Sequence, residues 1–164
     1  MASRPSRSDT NLGLLLREPF RIGSAVLHER LAERGHPDVR APHGNVFQYL
    51  DADGTRVSVL AERAQITNQS MGYLVDALEA RGYVERKPDP ADRRAALVVI
   101  TDRGREQIIA ARRQIAEIER EWEERIGSER MASLREGLEA LAASLEDDAG
   151  RRAERRAAGP AASA

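Results

Sequence analysis

The stretch Pro88-Asp89-Pro90-Ala91-Asp92-Arg93-Arg94 decides how this chain of 164 residues folds. It separates two short runs of strand-forming residues, 83–87 and 95–100. Because proline and aspartate favour tight turns, the two runs are predicted to pair as a β-hairpin. Two adjacent arginines stand at the end of this stretch, so the hairpin is expected to carry positive charge at a stiff tip.

Two helices are predicted at the start of the chain. The first covers about residues 10–35, and Pro19 is expected to kink it or to begin a new segment, because proline cannot donate a helical hydrogen bond. The second begins near Pro42, at a position where proline is favoured. Its apolar face is predicted to carry His43, Val46, Phe47 and Leu50.

A helix-turn-helix unit is predicted directly before the hairpin. Residues 57–64 have the spacing of a short third helix, with Ser58 as its expected cap, and residues 65–66 form the turn. Thr67 is expected to cap a fourth helix that Gly82 ends. The face of this fourth helix opposite its apolar stripe is polar and carries Asn68, Gln69, Gly72, Tyr73 and Asp76.

Two long helices are predicted after the hairpin. Thr101 is expected to cap the first, and Gly127-Ser128 separates it from the second, which ends near residue 146. Apolar residues repeat at three- and four-residue intervals along both helices, a spacing typical of helices that pack along a seam. The polar segments 1–9 and 147–164 are expected to be a flexible arm and a disordered tail.

Composition excludes several classes of function. The chain has no cysteine, which removes disulfides, thiolate metal sites and cysteine-based redox sensing. It lacks a long apolar run and an apolar signal core, so we expect a cytoplasmic protein without a membrane partner. We find no phosphate loop, nucleophile elbow or metal-ligand spacing, so we expect neither an enzyme nor a cofactor or metal. The net charge of −1 disfavours non-specific binding to polyanions but permits a local basic surface.

The fourth helix and the hairpin tip together carry groups that recognise DNA. Amide and hydroxyl side chains can bond base edges in the major groove, and arginine is attracted to a narrow minor groove. Asp92 is expected to hold the Arg94 guanidinium in one orientation. A merely solvated helix face and a weakly paired turn are the alternatives. The predicted DNA-binding residues are Thr67, Asn68, Gln69, Ser70, Tyr73, Arg86, Lys87, Asp92, Arg93 and Arg94.

The segment 57–105 resembles the MarR family of winged-helix regulators. Asp92-Arg93-Arg94 matches the family's Asp-x-Arg wing motif, and Ile100-Thr101 stands where the family has Leu-Thr. The order of helices is also similar over roughly residues 12–145. The stretches that carry the resemblance are 60–63, 74–86, 89–95, 100–101 and 104–105.

This resemblance implies a mainly α fold with a small β-hairpin wing. A winged helix-turn-helix lobe at about 42–101 would bind DNA, and helices at about 10–35 and 102–146 would form a homodimer. The fourth helix, which begins after Thr67, would be the reading helix that contacts the bases. Two copies of this reading helix and of the wing then imply a pseudo-palindromic operator with half-sites about 34 Å apart. The predicted dimerisation residues are Leu12, Leu15, Leu16, Ile115, Ile118, Trp122, Leu134, Leu138 and Leu141.

Similar regulators bind small aromatic or phenolic acids, which implies a repressor that such an effector releases from double-stranded DNA. The candidate ligand-binding residues are His43, Phe47 and Arg17. A buried His43 satisfied by a backbone carbonyl is the alternative at that position. A transcriptional activator of the same fold, or a dimeric interaction protein that does not bind DNA, also remains open.

Overall fold

A computed structural model describes residues 11–157 of the chain. Within this range the protein is mainly helical with a small antiparallel sheet, which confirms the predicted fold class. The arm at 1–9 and the tail residues 158–164 lie outside the described residues. The elements in chain order are α1 (Leu12–Glu33), a 3-10 helix (Ala41–His43), α2 (Gly44–Tyr49), β1 (Thr55–Arg56), α3 (Val57–Arg63), α4 (Asn68–Glu79), β2 (Val84–Asp89), β3 (Asp92–Ile100), α5 (Asp102–Ile126) and α6 (Ser128–Ala157).

The described chain divides into two compact units, and the division falls within α5, between Ile118 and Glu119. The core of the first unit lies among α2, α3, α4 and the sheet. The apolar stripe of α4 supplies much of it, since Met71, Val75 and Leu78 are fully buried. The other members of this core are Val39, Val46, Leu60, Ala61, Tyr83, Val84 and Val98.

The caps of α4 confirm the predicted helix-turn-helix boundaries. The Thr67 side chain accepts a hydrogen bond from the Ser70 backbone N–H at 3.1 Å, which satisfies a free donor of the first turn. Beyond the other end, Gly82 has φ +74°, a left-handed conformation that glycine adopts without a steric penalty. The Tyr83 N–H bonds back to the Leu78 carbonyl, and the chain then enters β2.

The hairpin is longer than the sequence indicated, and a third strand joins it. Pairing continues to Asp89 opposite Asp92, so residues 90–91 alone form the turn and most of the predicted loop is strand. The register shifts between Pro88 and Asp89, where the strand is irregular. The two-residue strand β1 was not predicted; it pairs with β3, which therefore lies in the centre of the sheet.

Two predictions about the helix starts need correction. Ser58 does not cap α3, because Val57 follows β1 directly and the N-cap position falls on Arg56. Of the two alternatives at Pro19, a new segment is wrong, because Pro19 lies inside the continuous helix α1. The N-cap of α1 is Asn11, whose side chain accepts from the Leu14 N–H.

Thr101 and Gly104 join the sheet to α5. The Thr101 hydroxyl accepts from the Gly104 N–H, as predicted for a cap, and lies 2.7 and 2.9 Å from the Gly82 and Tyr83 carbonyl oxygens. A Cβ at Gly104 would overlap the Tyr83 carbonyl oxygen. The helix therefore packs against the β2 entry more closely than a residue with a side chain allows.

The second unit contains the end of α5 and the whole of α6. Gly127, with φ +90°, separates the two helices as predicted. Residues 147–157, which the sequence assigned to the tail, continue α6; alanine, arginine and glutamate there are good helix formers. Among the described helices, none combines the length and apolarity needed to span a membrane.

Candidate nucleic-acid interface

The first turns of α4 present an open polar surface. Thr67, Asn68, Gln69 and Ser70 are all exposed. Tyr73, one turn further on, is 66% exposed, which is high for an aromatic side chain. A Cβ at Gly72 would have no heavy-atom neighbour within 4 Å, so the space beside this turn is unoccupied by the chain.

Hydrogen bonds within α4 order part of this surface. The Thr67 hydroxyl donates to the Ser70 hydroxyl at 2.8 Å. The Gln69 side-chain amide donates to the Tyr73 hydroxyl at 3.3 Å, one helical turn away. This contact leaves the Gln69 amide oxygen and one N–H free to bond a base edge.

Asp92 acts on the backbone of the wing. Its carboxylate accepts from the Arg94 backbone N–H at 3.0 Å, whereas we had expected it to hold the Arg94 guanidinium. An aspartate that accepts from the residue two positions later forms a local turn. Asp92 therefore shapes the backbone at the start of β3, where Arg94 is exposed.

Asp89 anchors the wing tip and was missed as a structural residue. It is buried, and its carboxylate accepts from the Ala91 backbone N–H at 2.8 Å and from the Arg56 Nε at 2.6 Å. These hydrogen bonds, the Ala91 N–H foremost, lower the pKa of Asp89. Arg56, at the start of α3, thus ties the helix-turn-helix to the end of the wing, a contact between residues far apart in sequence that no local pattern reveals.

The two basic residues at the base of the wing have carboxylate partners. Lys87 is exposed and lies 2.8 Å from Glu85 on the same strand. The Arg86 guanidinium contacts two carboxylates of α4, Asp76 at 2.6 Å and Glu79. Of the predicted basic DNA contacts whose side chains the structure describes, Arg86 is therefore tied most closely to its own chain; the side chain of Arg93 lies outside that description.

The candidate ligand-binding residues have different surroundings. His43 is buried, and its Nδ1 accepts from the Arg40 backbone N–H at 3.0 Å, so its partner is an amide and not the carbonyl considered above. Burial, reinforced by Arg81 and Arg40, lowers the pKa of His43. Phe47 is half-buried and meets the Tyr83 ring edge-on, whereas Arg17 is exposed on α1.

A second buried histidine lies against Tyr83. The His36 ring nitrogen is 3.3 Å from the Tyr83 hydroxyl, and the Arg103 guanidinium lies over the Tyr83 ring. Burial and the positive charge of Arg103 lower the pKa of His36. Tyr83 therefore links the segment after α1, α2 and the start of α5, although no sequence motif marked it as a junction.

Most of the predicted dimerisation residues have apolar surface exposed in the single chain. Ile118 is the exception, since it is only 5% exposed and its own chain already covers it. Trp122 is half-buried. The exposed members are Leu12, Leu15, Leu16, Ile115, Leu134, Leu138 and Leu141.

Comparisons with known proteins agree with this architecture. A sequence model of the MarR family matches residues 38–95. The transcriptional regulator HosA of Escherichia coli O111:H- is 36% identical over 76 residues, which make up 46% of this chain and 56% of HosA. The match thus spans little more than half of the length of HosA.

Solved structures match over most of the chain. The crystal structure of MarR has a TM-score of 0.76 at 21% identity, covering 91% of this chain and 99% of MarR. The repressor CouR bound to a 23-mer DNA duplex has a TM-score of 0.66 at 22% identity, and the match covers 87% of this chain and 99% of the CouR chain. CouR from Rhodococcus jostii RHA1 bound to p-coumaroyl-CoA has a TM-score of 0.63 at 26% identity, with coverage of 85% and 96%.

The matched segment 38–95 contains α2, α3, α4 and the wing turn, which are the parts that form the polar helix surface and the arginine tip. The family match, the relative and the shared fold point to the same assignment. Residues 38–95 match the MarR family, and the described chain has the fold of MarR, so the chain is similar to the winged helix-turn-helix regulators of that family.

Proposed function

We propose that the protein is a homodimeric repressor that binds a pseudo-palindromic operator and is released from it by a small ligand. The observation that carries this proposal is the pairing of an exposed polar turn at the start of α4 with an arginine tip anchored to the same lobe. Asp89, through Arg56, holds the tip to the start of α3. A helix for the major groove and an arginine for the minor groove are thus presented by one folded unit.

In this proposal the side chains of the first α4 turns meet base edges, and the wing follows the adjacent backbone and minor groove. Backbone N–H groups at a helix start also favour a phosphate there. Asp92 contributes by shaping the backbone before Arg94. The proposed contacts are Thr67, Asn68, Gln69, Ser70 and Tyr73 in the major groove and Lys87, Arg93 and Arg94 from the wing.

Dimerisation is supported by the apolar surface of the long helices. Leu134, Leu138, Leu141 and Leu145 repeat along α6 at a spacing typical of a helix–helix seam, and each is at least 39% exposed. A second copy of the chain would cover this stripe. A two-fold axis would also pair the reading helices, which is what a symmetric operator requires.

The ligand response is supported by relatives. CouR has been observed both on a DNA duplex and with p-coumaroyl-CoA, and we propose that this chain responds to an aromatic acid or a derivative of one. His43 and Phe47, with Arg17, remain the candidate ligand residues. A ligand that binds the DNA-free conformer ten times more tightly, which is about 1.4 kcal/mol, weakens operator binding tenfold.

An electrophoretic shift with the DNA upstream of the protein's own gene tests the DNA-binding role. We expect retardation at protein concentrations of about 10 nM, and a random duplex of equal length to need at least about a thousandfold more protein. Equal retardation of both duplexes would contradict sequence-specific binding. Adding aromatic carboxylates to the retarded complex tests release, and a complex unchanged by all of them would remove the ligand from the proposal.

A further inference from the structure

Arg86 has contacts that differ from those of Lys87 and Arg94. Its backbone N–H donates to one Glu79 oxygen at 2.9 Å, and its guanidinium bonds the other Glu79 oxygen. A second guanidinium nitrogen bonds Asp76 at 2.6 Å. Asp76 and Glu79 are three residues apart, so they lie on the same side of α4. One residue of β2 therefore bonds the reading helix at three points.

We infer that Arg86 is a positioning residue that fixes the angle between the wing and the reading helix, and that it does not contact DNA. This inference rests on the proposed DNA-binding function. Arginine suits such a role because its planar fork can bond two carboxylates at once. The Arg86 side chain is only 30% exposed in this arrangement.

The charge of the cluster supports the same role. One guanidinium and two carboxylates sum to −1, so a phosphate approaching Arg86 would also approach Asp76 and Glu79. Freeing Arg86 for a phosphate would leave both carboxylates uncompensated beside the DNA. The arrangement thus favours an internal bond over a DNA contact.

Two alanine substitutions with the same change in charge test the inference. Glu79→Ala removes two of the three bonds to Arg86 and leaves the one to Asp76. Glu85→Ala removes one negative charge from the same wing and breaks only the contact with Lys87. If Arg86 positions the wing, Glu79→Ala weakens operator binding roughly tenfold, although it makes the protein less negative, and Glu85→Ala binds as tightly as the wild type or more tightly. If Arg86 contacts phosphate, both substitutions strengthen binding, and the inference is overturned.

Arg86→Lys provides a second comparison, because lysine keeps the charge but not the fork. We expect weaker operator binding with an unchanged slope of log K against log salt concentration. A phosphate contact would instead survive as lysine, and wild-type affinity would overturn the inference. If Glu79→Ala does not fold, Glu79→Gln and Glu85→Gln replace the alanine pair.

A measurement without DNA separates this inference from the proposed function. The Arg86 backbone N–H should be protected from hydrogen exchange in the wild type and in Glu85→Ala, and should lose protection in Glu79→Ala. Equal protection in all three proteins would overturn the inference. If the wild type binds no duplex specifically, the proposed function fails, while the exchange result still decides whether Glu79 holds the wing.

Discussion

The large apolar residues at the core of the helix-turn-helix lobe are buried, whereas those of helix α6 are exposed. Met71, Leu78 and Tyr83 of the lobe are completely buried. The leucines of α6 remain between 39% and 58% exposed, although they follow a regular seam. The lobe thus closes its own core, whereas α6 carries an apolar stripe whose burial requires a further surface. The lobe contacts therefore stabilise the single chain, whereas the α6 stripe is available for the dimer that we propose.

A cavity in the lobe should cause the largest loss of stability. Leu60 is fully buried, so we expect Leu60→Ala to lower the free energy of unfolding by about 2–5 kcal/mol. Denaturant unfolding at two protein concentrations measures this loss, which should be the same at both. A loss that disappears at high concentration would mean that the lobe core depends on assembly.

A charge in the α6 stripe should affect association instead. Leu138→Glu is expected to weaken dimerisation by roughly 1 kcal/mol per subunit from lost burial alone, because only the 39% of Leu138 that is exposed in the single chain would be covered by a partner. Sedimentation measures the mass of the assembled protein and so separates a dimer from a single chain. Ala143→Glu, which adds the same charge on the opposite side of the helix, is the control and should remain dimeric. Equal masses for both variants would show that the stripe is not the interface.

Loss of the wing arginine should weaken DNA binding without affecting either region's packing. Arg94→Ala is expected to cost about 1–3 kcal/mol in operator affinity. Arg21→Ala removes the same charge from α1, where Arg21 pairs with Glu18, and should bind nearly as the wild type does. Fluorescence anisotropy at fixed salt compares them. Identical affinity for Arg94→Ala and the wild type would exclude the proposed minor-groove contact.

The smallest expected effect is a pH dependence from the buried histidines. Burial lowers the pKa of both His36 and His43 below the ordinary 6.5, so the unfolded chain takes up protons that the folded chain excludes. Stability should be constant above about pH 6.5 and should fall as the pH drops towards the lowered values. Thermal unfolding between about pH 7.5 and 5.5 measures this, and replacing both with glutamine should reduce the fall. If the double substitution leaves the pH dependence of stability unchanged, other groups cause that dependence.

Local patterns predicted the elements well where neighbours in sequence determine them. Thr67 and Thr101 cap their helices as expected, and Gly127 separates α5 from α6. Gly104 was recognised only through the resemblance. The structure gives its physical reason, which is the close approach of the Tyr83 carbonyl.

Contacts between residues far apart in the sequence could not be predicted from local patterns. The strand β1 is two residues long and is defined by its partner β3, so no periodicity could reveal it. Asp89 was placed only in the turn of the hairpin, because its partner, Arg56, lies 33 residues away. Arg86 was grouped with the DNA contacts for a similar reason, since its partners on α4 precede it across the Gly82 turn.

Selection of bound duplexes from a random DNA library, followed by measurement of the mass of the complex, tests whether two chains bind one symmetric operator. We expect an inverted repeat with half-site centres about 10–10.5 base pairs apart, bound by two chains. A single unrepeated site, a complex with one chain, or no enrichment would contradict it.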